Sequence, residues 1–391
     1  MVSEATRQAA RARREEILEE IEKNHLKELY PGSGKCMLIS GMYPGVWLEH
    51  AYDGVAYADA VGQRAEVARH QIDLFLDGQR EDGQFPFRVT AAGREYSHLQ
   101  ECVPFALVCD LALRRNGNAG LREVYEKLKQ WDAWQARYHT DERGRLLTFC
   151  GWDTGHDHSR RLADFGIYET AATTEARDRP QQHAVLPLIM PDMNAVYYGD
   201  KRVLSEMAGR LGLPVEQARY AREAEALREE ITATCYDAAD DFYYDVDCHG
   251  NRRKIRSIGV TALFVSRFFE REEGRRVFSR YFRSPEYFGT PYPYPSIAVS
   301  DAAFEKNAPG NSWNYYAQGL TMLRSLLWMD DYGLSDDLEA NMERWVTALT
   351  PRSAVPFGQE LDPFTGAPSS ASPYYSSSMI FYLAALRRLG I

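Results

Sequence analysis

The 391-residue chain lacks long hydrophobic runs, since no apolar stretch approaches the roughly 20 residues needed to span a bilayer. It also lacks a long basic stripe, and its formal net charge is −10. Its first segment, Met1 to Lys27, is an Arg/Glu-rich amphipath without the apolar centre of a secretory signal peptide. We therefore expect neither a membrane nor a nucleic acid as a partner.

Cysteine is also scarce. The six cysteines include no C-x-x-C pair and no closely spaced framework. Without a signal peptide, such cysteines are expected to be reduced and mostly buried thiols in a cytoplasmic protein.

Aromatic residues are abundant by comparison, at 12% of the chain, and 24 of them are Tyr. Tyr and Trp combine an apolar face with a hydrogen-bonding tip, which suits a sugar-binding cleft. A large core with scattered surface tyrosines would give the same composition. Both interpretations stay open on composition alone.

Helical periodicity dominates the sequence and predicts about a dozen helices, paired through short turns. The predicted segments are Arg7–Leu29, Tyr57–Gly78, Val103–Arg115, Leu121–Tyr138, Gln182–Leu211, Val215–Thr234, Arg256–Phe269, Glu272–Phe282, Trp313–Tyr332, Ser335–Leu349 and Ser372–Leu389. Long aromatic stretches separate the pairs. Short loops at one end and long loops at the other are typical of an α/α toroid, so we predict one all-α domain over residues 1–391, with an N-terminal helix over 1–30.

Several motifs with known chemistry are incomplete. A phosphate loop ending at Lys35 would need Gly at Leu29 and Ser or Thr at Cys36. A calcium loop beginning at Asp245 would need Glu at Arg256. No G-x-S-x-G motif occurs, which disfavours acyl transfer. We expect no cofactor.

Residues 151–161 form a first candidate loop, with acids, imidazoles and guanidiniums beside Trp152. A carboxyl group buried against an aromatic ring has a raised pKa and can act as a general acid. Two alternatives remain open for this loop. Asp153, His156 and His158 could ligate a metal, or the loop could be purely structural.

Residues 357–366 form a second candidate loop, in which a turn beginning at Asp362 fixes the backbone just after Glu360. Glycoside hydrolysis needs one carboxyl group to protonate the leaving oxygen and another to activate water. A toroid would bring Asp157 and Glu360 to one mouth. Glu360 could also be a surface turn acid.

Six segments together resemble the pattern of one enzyme family. They are Tyr43-Pro44-Gly45-Val46-Trp47, residues 79–86 (Gln-Arg-Glu-Asp-Gly-Gln-Phe-Pro), Gly155–Arg161, Asp192-Met193-Asn194, Gly289–Ser296 and Glu360 with the turn that follows it. The pattern is similar to that of the (α/α)6 glycosidases of glycoside hydrolase family 63, especially bacterial mannosylglycerate and glucosylglycerate hydrolases. Trehalases and glucoamylases are more distant relatives. The similarity covers the chain from about Tyr43 to Leu389.

The resemblance implies an (α/α)6 toroid that hydrolyses a small α-linked glycoside with inversion, as an α-glucosidase or α-mannosidase does. Asp157 would be the general acid and Glu360 the general base, with no metal or cofactor. A small carbohydrate or glycoside is the expected partner. The implied substrate-binding residues are Tyr43, Trp47, Glu49, His50, Asp53, Tyr96, Gln100, Trp152, His158, Arg161, Asn194 and Trp313.

The chain departs from the family pattern at sugar-contact positions. Glu49 and His50 stand where the family has Trp-Asp, so Glu49 or Asp53 substitutes for that Asp, or the sugar differs. His158 replaces an Asn, and the segment 309–313 (Pro-Gly-Asn-Ser-Trp) stands where the family has Arg-Gly-Pro-x-Trp. Reaction class is therefore better supported than substrate.

Two other functions stay open. An α/α-barrel sugar epimerase or isomerase uses histidines as acid and base, and His50, His98, His156 and His158 permit this because imidazole titrates near neutral pH. A carbohydrate-binding homologue without activity would also fit the altered contacts.

Overall fold

The computed structural model describes residues 3–97, 101–162, 165, 175–179, 181, 183–306 and 311–391. Within these ranges the chain forms twelve α-helices: α1 (Glu4–Glu20), α2 (Ala51–Val61), α3 (Ala65–Leu76), α4 (Phe105–Arg115), α5 (Leu121–Tyr138), α6 (Pro191–Arg210), α7 (Pro214–Cys235), α8 (Thr261–Val265), α9 (Arg271–Val277), α10 (Gly319–Ser325), α11 (Ser335–Leu349) and α12 (Ser376–Arg388). None of these helices is both long and apolar enough to cross a membrane.

Short strands between the helices pair into small sheets. They are β1 (Leu26–Glu28), β2 (Lys35–Met37), β3 (Gly45–Trp47), β4 (Arg88–Thr90), β5 (Gly93–Glu95), β6 (Leu147–Thr148), β7 (Leu188–Ile189), β8 (Tyr236–Asp237), β9 (Phe242–Tyr243), β10 (Asp245–Val246), β11 (Arg252–Arg253), β12 (Ala317–Gln318) and β13 (Glu360–Leu361). The sheet orders are β1-β2, β3-β4-β5, β11-β10-β7-β6, β8-β9 and β12-β13, and all the pairings are antiparallel.

The even-numbered helices contact one another in a cyclic order. Helix α2 packs against α4, α4 against α6, α6 against α8, α8 against α10, α10 against α12, and α12 against α2. Most residues of α6 and α12 are buried, whereas the adjacent α7 buries only a narrow stripe. A helix buried on most sides lies in a core and a striped helix lies at its surface. The even-numbered helices therefore form an inner layer.

The connections between helices differ strongly in length. Those from an inner helix to the next outer helix are short, as at residues 62–64, 116–120 and 211–213. Those that return to an inner helix are long, as at residues 139–190, 283–318 and 350–375. Because every long connection enters an inner helix at its N-terminus, the two candidate loops reach the same end of the molecule.

The helix-rich fold is confirmed, but several predicted boundaries are wrong. The predicted helix Arg7–Leu29 ends at Glu20, continues as a wider π-type turn over Ile21–His25, and passes into β1. The predicted helix Tyr57–Gly78 contains the end of α2, which begins at Ala51, and all of α3, because Gly62 adopts a φ of 71° and caps α2.

Two other predicted helices begin later than expected, because strands occupy their first residues. The segment predicted from Gln182 becomes helical only at Pro191, after β7 has paired with β6 and β10. The segment predicted from Trp313 becomes helical only at Gly319, after β12 has paired with β13. The predictions Leu121–Tyr138 and Ser335–Leu349 are confirmed residue for residue.

Candidate active site

Asp157 and Glu360 lie on different long loops and meet through one residue, Asn311. The side-chain amide of Asn311 donates from Nδ2 to Oδ2 of Asp157 at 2.6 Å. Its backbone N–H donates to Oε1 of Glu360 at 2.9 Å. Because both donors belong to one residue, standard bond lengths keep the two oxygens within about 10 Å of each other. No role was assigned to Asn311 from the sequence, where its segment, 309–313, only departs from the family pattern.

Glu360 is held by a strand pairing. In the antiparallel pair of β12 and β13, Gln318 lies opposite Glu360 and donates from Nε2 to its Oε2 at 2.6 Å. Burial raises the pKa of Glu360, and four hydrogen bonds oppose that shift, from Gln318, Ser369 and the backbone of Asn311 and Ser312. These donors stabilise the ionised form of a fully buried carboxyl group.

Asp157 has fewer donors. Burial raises its pKa, while the Asn311 amide and the nearby His158 lower it. Its backbone carbonyl accepts from the N–H of Trp313 at 3.0 Å, which ties the first candidate loop to the segment before β12. Asp157 therefore has one hydrogen bond that favours its ionised form, from Asn311, whereas Glu360 has four.

Further acidic groups lie beside Asp157. Glu101 accepts the backbone N–H of Glu49 at 2.9 Å, and burial together with the charge of Asp157 raises its pKa to about 8. Burial also raises the pKa of Glu49, with Glu101 as the next cause. Burial raises the pKa of Tyr43, to which the charges of Asp157, Glu49 and Glu360 add. Tyr43 therefore lies near both candidate carboxyl groups, and Glu101 is a second residue that the sequence interpretation missed.

The aromatic rings of the site segments lie at two depths. The rings of Tyr43 and Trp47 meet edge to face with centroids 5.6 Å apart. Trp152 is 40% exposed and lies edge to face against His158. Trp313 is buried and stacks on His156 at 4.1 Å. Trp152 thus is an accessible ring on the loop that carries Asp157, while one face of Trp313 is occupied by an imidazole.

Two of the four candidate histidines stay neutral. Burial lowers the pKa of His50 and of His156 to about 3. The ring of His50 forms a hydrogen bond with the hydroxyl of Tyr375. Neutral imidazoles with so low a pKa do not accept protons near pH 7. His98, like the predicted contact Gln100, lies outside the described residues.

The first candidate loop does not gather ligands for a metal where the structure describes it. Oδ2 of Asp153 accepts the backbone N–H of Phe149 at 2.8 Å, so this carboxylate caps a turn. His156 faces Trp313. Across the described residues, no group of three His, Cys, Asp or Glu side chains converges as metal ligands do.

The prediction that Arg161 contacts a sugar hydroxyl needs correction. Its guanidinium is buried and donates to both carboxylate oxygens of Asp192, to both of Asp245 and to Oγ of Ser257. These contacts use all five N–H groups that an arginine has. Arg161 therefore supports the loop that carries Asp157 and has no donor left for a substrate.

Two other predicted contacts are also committed elsewhere. Oδ1 of Asn194 accepts the N–H of Leu146, and its Nδ2 donates to the carbonyls of Leu146 and Met190. Asp53 is completely buried and accepts from the hydroxyls of Ser376 and Ser377 at the start of α12. Both side chains are fully buried and bonded within the protein. The two predicted sugar contacts therefore need correction to structural roles.

The predicted contact Tyr96 follows β5, and its hydroxyl reaches the chain just after the end of α3. Its hydroxyl donates to the carbonyl of Gly78 at 2.5 Å, and the guanidinium of Arg80 lies 3.7 Å above its ring. The hydroxyl proton and one ring face of Tyr96 are therefore already in use.

The buried network around Arg161 leads to a prediction on stability. Arg161→Met should lower the free energy of unfolding by about 3–5 kcal/mol, because it leaves Asp192 and Asp245 buried without their cation. Urea denaturation would measure this loss. The matched control is Arg160→Met, since Arg160 pairs with Glu305 on the surface and should cost less than about 1 kcal/mol. Equal losses in the two variants would contradict the prediction.

Comparisons with known proteins agree with this architecture. A family model described as the mannosylglycerate hydrolase MGH1-like glycoside hydrolase domain matches residues 46–378. The crystal structure of the GH63 mannosylglycerate hydrolase from Thermus thermophilus in complex with glucose is similar with a TM-score of 0.73 and 17% identity, over 95% of this chain and 99% of that chain. Neutral trehalase Nth1 from Saccharomyces cerevisiae is similar with a TM-score of 0.63 and 14% identity, over 92% of this chain and 76% of that chain.

A curated relative, an uncharacterized protein of Borreliella burgdorferi, is 26% identical over 160 residues, which are 40% of this chain. The match spans 33% of that relative. At these identities the solved structures show a shared fold, while the family model covers most of the sequence. The chain belongs to the mannosylglycerate hydrolase MGH1-like family of glycoside hydrolases.

Proposed function

We propose that this chain hydrolyses a small α-linked glycoside with inversion, with Asp157 as general acid and Glu360 as general base. The observation that carries the proposal is the link through Asn311, which limits the separation of the two carboxyl groups to about 10 Å. Inverting glycosidases hold their carboxyl groups about 6.5–9.5 Å apart, so that a water fits beside the sugar. The limit set by Asn311 includes that range, and the anomer that appears first in hydrolysis distinguishes it from the separation of about 5 Å in retaining enzymes.

The hydrogen bonds around the two carboxyl groups support the assignment of roles. A general base must be ionised before it takes a proton from water, and Glu360 has four hydrogen bonds that favour the ion. A general acid must keep its proton, and burial raises the pKa of Asp157 against one hydrogen bond from Asn311 and the nearby His158. Asp157 therefore protonates the leaving oxygen, while Glu360 activates the water.

The cyclic contacts of the even-numbered helices support an (α/α)6 toroid. Six inner helices from α2 to α12 close on themselves, and the long connections lie at one end with the two carboxyl groups. All six cysteines are free, and five of them are buried, which supports the expected reducing, cytoplasmic location.

The substrate is proposed from the site and from the named relatives. Tyr43, Trp47 and Trp152 supply apolar faces on which sugar rings stack, and Glu49 lies next to Asp157 to hold sugar hydroxyls. The solved relatives are named as a mannosylglycerate hydrolase and a trehalase. A small α-mannoside or α-glucoside is therefore the proposed substrate.

A panel of small α-glucosides, α-mannosides and α-rhamnosides, followed by proton NMR, tests the proposal. We expect at least one to be hydrolysed, with the anomer of opposite configuration appearing first, because water attacks the face opposite the leaving group. First appearance of the retained anomer would contradict inversion. If sugars bind but no glycoside is hydrolysed, the alternative of a carbohydrate-binding homologue without activity is favoured. If free sugars are interconverted, the epimerase alternative is favoured.

A further inference from the structure

Asn311 touches both carboxyl groups of the proposed site, and this double contact has a chemical consequence. We propose that Asn311 is a positioning residue that fixes the separation of Asp157 and Glu360 and determines which oxygen of Asp157 carries the acidic proton. This inference rests on the proposed function of the two carboxyl groups. Asn311 itself touches neither the attacking water nor the leaving group in this role.

The orientation of the Asn311 amide is set by the residue next to Glu360. Nε2 of Gln359 donates to Oδ1 of Asn311 at 2.5 Å. Gln359 is anchored through its backbone, because its N–H donates to the carbonyl of Ser372 and its own carbonyl accepts the N–H of Gly319. With Oδ1 occupied in this way, the NH₂ group of Asn311 faces Asp157.

That orientation leaves one place for the proton of the general acid. Oδ2 of Asp157 accepts from Nδ2 of Asn311 at 2.6 Å, and in a protonated carboxyl group the carbonyl oxygen accepts such a bond better than the hydroxyl oxygen does. The proton therefore sits on Oδ1, from which it can be delivered to a leaving oxygen. An acid that already presents its proton in the required direction needs no side-chain rotation before proton transfer.

The backbone of Asn311 serves the second carboxyl group independently. Asn311 adopts a φ of 58°, a left-handed conformation in which its N–H reaches Oε1 of Glu360. A proline, which the family pattern has here, has no N–H and cannot adopt this φ. Glycine adopts it freely, so Asn311→Gly removes the side chain and leaves the backbone donor in place.

The test is a titration of Asp157 in Asn311→Gly, followed by the carboxyl ¹³C shift after labelling with ¹³C-aspartate and assigned with Asp157→Asn. The lost hydrogen bond favoured the ionised form, so the pKa of Asp157 should rise by about one to two pH units. Tyr43, Glu49, Glu101 and His158 also face Asp157, and their side chains remain in the variant.

The same change should appear in catalysis. The general acid works only while protonated, so activity is lost as pH rises through the pKa of Asp157. The upper limb of the kcat–pH profile should therefore move to higher pH, and kcat should fall more than KM changes. The control is Asn118→Gly, because Asn118 is exposed, has a φ of 61° and lies in the turn between α4 and α5. Its profile should match that of the wild type.

An unchanged or lowered pKa of Asp157 in Asn311→Gly would overturn the inference. Gln359→Met provides a second variant if Asn311→Gly folds poorly: it keeps the backbone bonds of Gln359 but frees the Asn311 amide, and should raise the pKa by a smaller amount. The titration does not depend on turnover. Full activity of Asp157→Asn would refute the proposed function alone, whereas an inactive Asp157→Asn with an unresponsive titration would refute only the role of Asn311.

Discussion

Replacing Asp157 with Asn is expected to lower kcat for an alkyl α-glycoside by about 10³–10⁴-fold, because the leaving alkoxide then departs without a proton. The substitution keeps the size of the side chain and an oxygen that can accept from Nδ2 of Asn311. The fold should therefore survive, which circular dichroism and thermal denaturation would verify. Steady-state assays with the substrate identified by the NMR panel would measure the loss.

The nature of the leaving group makes this test specific for a general acid. A nitrophenyl glycoside releases a stabilised phenolate that hardly needs protonation, so Asp157→Asn should retain most of its activity on that substrate. Glu305→Gln is the matched control, since Glu305 pairs with Arg160 of the same loop and its loss removes one nearby negative charge. Equal losses on alkyl and aryl glycosides would contradict the role of Asp157 as the acid.

Strong local periodicity explains where sequence reasoning succeeded on the fold. Helices α5 and α11 bury one clear stripe each, and their predicted boundaries match the structure. Boundaries failed where a distant partner decides the local conformation. The residues before Pro191 are strand because β7 pairs with β6 and β10, which no local pattern reports.

The site residues also divide into those that local sequence indicates and those that only distant contacts determine. Asp157 and Glu360 stand in recognisable loops, so the sequence predicts them and the structure brings them together through Asn311. Arg161 and Asn194 are as well suited to a buried partner as to a sugar, and only the fold shows that the partners of Arg161 are Asp192 and Asp245. The role of Asn311 depends on a left-handed backbone and on contacts across more than a hundred residues, so no local sequence pattern indicates it.

Glu360→Gln is expected to lower kcat by about 10²–10⁴-fold on alkyl and aryl glycosides alike, because water must be activated whatever group departs. Gln keeps the shape of Glu, but its single oxygen can accept from either Gln318 or the N–H of Asn311 and not from both, since these donors bind different oxygens of Glu360. Circular dichroism and thermal denaturation would verify that the variant is folded. This uniform loss differs from the substrate-dependent loss expected for Asp157→Asn. The pair of variants therefore assigns acid and base separately.

The pH profile of Glu360→Gln tests whether Glu360 is the base. A base is active only when ionised, so wild-type activity is present above the pKa of Glu360 and is lost as pH falls through it. Burial raises that pKa, which brings this lower limb towards neutral pH. The residual activity of Glu360→Gln should lack the limb, whereas Glu339→Gln on the surface of α11 should keep it. A lower limb that persists in Glu360→Gln would mean that another group, such as Glu49 or the buried Glu101, activates the water.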